Sequence, residues 1–175
     1  MANRTTETKR IVAHLVVAKV GADGSISIWN SNDSPTMSNV DILVDVVGWL
    51  PAGAGFGSLT PVRILDTRAK GSLSAGATID LVAVGKGGVP STGVGAVILN
   101  LTVTGTKADG YLTTWPTGQP RPNASSLNFA AGQTVANLVV AKVGADGSIS
   151  IWNSNDSATM SNVDILVDVV GWFST

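Results

Sequence analysis

Apolar and polar residues alternate along most of this chain, in short runs bounded by Gly, Asp, Asn and Pro. A period of two sends successive side chains to opposite faces of a strand. In Ser25-Ile26-Ser27-Ile28-Trp29 it sets Ile26 and Ile28 on one face and Trp29 with the two serines on the other, and Ser148 to Trp152 repeats the arrangement. The pattern predicts strands at 12–20, 25–30, 40–48, 62–66, 78–84, 95–104, 111–115, 125–129, 135–143, 148–153 and 163–170, and no window has helical periodicity. Asp-Gly pairs at 23–24, 109–110 and 146–147 sit between such runs, where Gly accepts the positive φ that a hairpin turn requires.

The second pattern is a repeat. Leu15 to Trp49 recurs as Leu138 to Trp172, at an offset of 123 residues, with Pro35/Ala158 the only difference in 35 positions. A fainter repeat at an offset of 37 aligns Asn100–Val103 and Ala108–Trp115 with Asn137–Val140 and Ala145–Trp152. The division this implies is a polar leader at 1–10, a three-stranded partial β module at 11–49 (a copy of 134–172), a Gly-rich linker at 50–60 and a full β-rich unit at 61–173. The fold expected is all-β: one β-sandwich or jelly-roll-like unit plus the partial module. The period of 37 keeps a pseudo-threefold β-prism or trefoil as the alternative.

Charge removes several classes of partner. With 13% charged residues and a net charge of −1, the chain carries no basic field for nucleic acid or an anionic membrane surface. The absence of cysteine excludes disulfides, thiolate chemistry and Cys-based zinc sites. The start, Met1 to Arg10, is polar, and Ile11 to Val20 is too short and interrupted for a membrane span, so neither an export signal nor membrane insertion is expected.

Several segments carry a resemblance: Pro61 to Arg68 (PVRILDTR), Gly88-Val89-Pro90, Val97 to Thr104 (VILNLTVT), Ala124 to Phe129 (ASSLNF) and Val167 to Phe173 (VDVVGWF). Together they resemble a β-rich repeat domain of secreted and surface proteins of actinobacteria and their phages. That resemblance implies exterior display, on a cell surface, outside the cell or on a virion. It brings no activity with it.

Few residues of this chain are of a kind or spacing that does chemistry. The sole histidine, His14, stands where the other copy has Asn137, and no nucleophile elbow, phosphate loop or paired-histidine motif is present, so no catalytic residues are assigned. Asp23, Asp109 and Asp146 lie in turns that their own side chains stabilise; calcium is the alternative, at a spacing that matches no calcium loop, and no cofactor is expected. Asp45 and Asp168 fall on strands with apolar residues on both faces, and Arg63, Asp66 and Arg68 are the partners for a structural Arg–Asp clamp between modules. The functional competitor is a carboxylate pair for glycan cleavage. Trp29, Tyr111, Trp115 and Trp152 lie on the more polar strand faces, as interface anchors, sugar-stacking platforms or caps beneath a loop.

These readings converge on a non-enzymatic assembly or decoration protein, a homo-oligomer or part of a larger assembly, with exposed strand edges of the partial module as its contacts. A lectin-like module that binds a surface glycan is the second class, and a glycan-cleaving enzyme the third.

Overall fold

The computed structural model describes residues 16–18, 20–30, 42, 44, 46, 55–154 and 162–175. The fold is all-β. Among the described residues eight strands run β1 (Phe56–Asp66), β2 (Thr78–Val82), β3 (Val94–Thr104), β4 (Gly110–Pro116), β5 (Leu127–Phe129), β6 (Val135–Lys142), β7 (Ser148–Asn153) and β8 (Asp164–Ser174). They form two four-stranded antiparallel sheets, in the orders β1-β8-β3-β6 and β2-β7-β4-β5. The two interior strands of the second sheet are β7 and β4, and those of the first are β8 and β3.

Alternation explains how the sheets join. Val97, Leu99, Leu101 and Val103 of β3 and Ile165, Val167 and Val169 of β8 meet Leu81, Leu112, Leu127, Phe129, Ile149 and Ile151 of the other sheet in one apolar core. Burying each such side chain stabilises the fold by roughly 1.5–3 kcal/mol. A charge at Ile151, which has no exposed surface, would have neither water nor a partner.

β1 starts inside the stretch that its Gly and Pro content marked as linker. The segment 56–60 is strand because Phe56 and Gly57 pair with Phe173 and Trp172 at the end of β8. Gly57 is required there, since a Cβ would fall on the Trp172 indole. Pro61 is tolerated because β1 is an edge strand whose register shifts between Ser58 and Val62, where the missing N–H breaks no regular ladder.

The two copies of the repeat share a turn and part company beyond it. In the second copy Gly144 N–H donates to Ser148 O (2.8 Å), Gly147 has φ of 77°, and Asp146 Oδ1 accepts from Ser148 N (3.0 Å). In the first, Gly21 N–H donates to Ser25 O (2.8 Å), Gly24 has φ of 80°, and Asp23 Oδ1 accepts from Ser25 N (3.1 Å). Yet none of the described residues of 11–49 lies in a strand. Ile28 is 56% exposed and Trp29 80%, against 0% and 6% for Ile151 and Trp152. The physical difference is neighbours: β7 is bracketed by β2 and β4, and among the described residues there is one of each. His14, Asp45 and the predicted strand at 40–48, apart from residues 42, 44 and 46, lie outside the described residues.

Candidate functional site

Two constellations stand out, one on each sheet. On the first, Arg63 of β1 faces its register partner Asp168 of β8. Its guanidinium donates from Nε to Oδ1 at 2.5 Å and from Nη2 to Oδ2 at 3.0 Å, a bidentate pair. Nη1 also reaches Asp66 Oδ2 at 3.3 Å, and Asp66 takes three further bonds from Arg68, from the backbone N at 3.1 Å, Nε at 3.0 Å and Nη2 at 2.6 Å. Asp168, Arg63, Asp66 and Arg68 therefore form one line of alternating charge. The line ties β1 to β8 within a single sheet, and its members are partly open to water. Bonds from Arg68 hold the Asp66 carboxyl down at about 2. Bonds to Asp168 hold the Arg63 guanidinium above its ordinary value.

On the second sheet the register aligns Tyr111, Thr113 and Trp115 of β4 with Ser150 and Trp152 of β7 and with Thr78 and Asp80 of β2, on the face away from the core. This face is roofed. The connection at 117–126 folds back over it, with Thr113 Oγ1 donating to Ala124 O (2.8 Å) and Ser126 N to Leu112 O (2.7 Å). Arg121 lays its guanidinium carbon 3.6 Å from the centroid of the Trp152 ring, a cation–π contact, and Tyr111 meets the same ring edge-on at 5.6 Å. The Trp152 N–H donates to Gly76 O at 3.1 Å, and the Trp115 N–H to Gln119 O at 2.9 Å. A shallow hollow of about 180 Å³ remains, lined by Tyr111, Thr113, Arg121, Pro122, Asn123 and Trp152. Trp29, at 80% exposed, is far more open than Trp152 at 6%.

Nothing in the sequence singles out Arg121. It belongs to Gln119-Pro120-Arg121-Pro122-Asn123, which reads only as a polar loop. The long connection after Trp115, with its three prolines at 116, 120 and 122, was the one signal that something orderly lay there. Among the described residues no group of three or more His, Cys, Asp or Glu is placed to hold a metal ion, and no helix is long and apolar enough to cross a membrane.

No family model matches this sequence, and no curated protein is a significant match.

Proposed function

We propose that the chain is a non-enzymatic structural module, displayed on an exterior surface such as a cell envelope or virion, that assembles through its β strands. The observation that carries this reading is the exposed duplicate. Ile26, Ile28, Trp29, Ile42, Val44 and Val46 repeat, residue for residue, side chains that are buried in β7 and β8, and all six are exposed. Apolar strand sequence presented in this way favours association. The setting rests on the resemblance of 61–173 to repeats of secreted and surface proteins.

The carboxylates support a structural role. Asp164 accepts bonds from Thr67 Oγ1 (3.2 Å) and Ser72 Oγ (2.9 Å), while Asp168 is clamped by Arg63. Four residues apart on one strand, they stand about 13 Å from each other. Paired glycosidase carboxylates need roughly 5–9.5 Å.

A lectin-like reading is favoured by the open indole of Trp29 and by the hollow beside Arg121 and Tyr111. Light scattering separates the two. Full-length protein should associate with rising concentration, and a chain lacking 1–49 should stay monomeric. If the full-length chain is monomeric throughout, and a glycan array gives binding that Trp29→Ala or Trp115→Ala abolishes, the assembly reading gives way to the lectin.

A further inference from the structure

The sandwich contains one set of places for β6, β7 and β8, and the chain carries two sequences for them. By the offset of 123, β6 corresponds to 12–19, β7 to 25–30 and β8 to 41–51. Across these 25 strand positions only three differ: Asn137/His14, Phe173/Leu50 and Ser174/Pro51. We infer that residues 12–50 are a second occupant of these places, and that they complete the chain's own core of β1 to β5 in exchange for 135–173.

The decisive geometry is at the start of β1. Phe56 pairs with Phe173 and Gly57 with Trp172, antiparallel, so the strand that sits beside β1 ends where β1 begins. Moving back by 123 puts Leu50 opposite Phe56 and Trp49 opposite Gly57. The residues between are Pro51-Ala52-Gly53-Ala54-Gly55, a five-residue connection between antiparallel neighbours, which is an ordinary hairpin length. In the exchanged arrangement the first copy would enter the sheet beside β1 through this short connection. So short a tether gives it a high effective concentration at that site. The product is a circularly permuted sandwich of the same two sheets.

At two of the three substituted positions the contacts change little; at the third, Pro51 has no N–H to replace the bond from Ser174 N–H to Gly55 O at 2.7 Å, so the exchanged strand ends its pairing at Leu50. Asn137 Nδ2 donates to Ser126 O at 2.8 Å, and a histidine N–H can replace that donor. Leu50 in place of Phe173 gives up the ring contact with Phe56 at 5.3 Å but remains apolar. Arg63, now on Asp168, would find Asp45 in the same register. The exchange also covers what is now open: Val46 is 86% exposed, and its counterpart Val169 is fully buried.

The absence of native cysteine makes the test direct. Asp80 and Ser150 are register partners whose side chains touch, Ser150 Oγ donating to Asp80 Oδ1 at 2.6 Å, and Ser27 is the counterpart of Ser150. In full-length protein, Asp80→Cys with Ser150→Cys reports the described arrangement, and Asp80→Cys with Ser27→Cys reports the exchanged one. Oxidation followed by peptide mapping should give an intrachain 27–80 disulfide in monomeric protein. Adding Ile151→Asp, which disfavours the second copy, should raise its yield several-fold while the β-sheet spectrum persists, and adding Ile28→Asp as well should unfold the chain. The inference is overturned if only the 80–150 pair forms, if the 27–80 disulfide joins two chains, or if Ile151→Asp alone unfolds the protein as fully as the double substitution. Because the readout is within one chain, it stands or falls separately from self-assembly.

Discussion

Arg63 grips Asp168 through two guanidinium nitrogens, at 2.5 and 3.0 Å, from the neighbouring strand, yet 41% of the arginine side chain remains open to water. The pair fixes the alignment of an edge strand that has a register shift on either side of Val62 and Arg63. Its energy is that of a surface pair. Arg63→Met should lower unfolding free energy by roughly 0.2–1 kcal/mol in urea titrations. The difference should shrink in about 1 M NaCl, where screening is short-ranged.

Acid should act on the next link in the line. The Asp66 carboxyl titrates at about 2 in the folded protein, below the ordinary value of 3.8, mainly through its bonds from Arg68. A depressed folded value means that its contribution is complete above the unfolded value and is lost as pH falls from about 4 towards 2. Carboxyl NMR should find that midpoint near 2, and Arg68→Ala should move it up towards the ordinary range. A midpoint unchanged by the substitution would contradict the assignment.

Arg121 shields Trp152. Arg121→Ala should uncover one face of the ring and shift its fluorescence to the red, at a cost of about 0.5–2 kcal/mol for the lost cation–π contact. Trp152→Ala removes a side chain that is 6% exposed, and should cost about 3–5 kcal/mol in thermal or chemical unfolding.

Gly57→Ala tests the close approach of β1 to β8. The added methyl meets the Trp172 indole, and overpacking of that kind costs typically 1–3 kcal/mol. A drop in melting temperature, with unchanged far-ultraviolet dichroism, is the expected outcome.

The fold was largely legible, and the reasons are local. β7 falls at 148–153, where alternation and the preceding Asp-Gly turn both point. β1 was legible only from Val62 onward, because Gly57 and Pro61 read as breakers until the Trp172 ring and the edge position explain them. The two faces of β7 could be read from Ile149 and Ile151 alternating with Ser148, Ser150 and Trp152. That both faces would be buried could not, since the roof over the second face comes from the connection at 117–126. The limit of local reading is sharpest at Ile28 and Ile151. Their surroundings in sequence are identical, their turns match, and the neighbouring strands alone separate one from the other.

The position of β7 and β8 inside their sheets also sets a schedule. On a ribosome, β1 to β5 emerge first, but β1 needs β8 beside it and β2 needs β7. Neither partner of the described sandwich has been synthesised until residues 148–174 are out. Until then the first copy at 12–50 is the only sequence able to stand in for those neighbours, so the exchanged arrangement has the first opportunity to form and must be left before the described one is reached. Translation speed over that last stretch, rather than over the first half of the sandwich, should govern how much of the protein reaches this state.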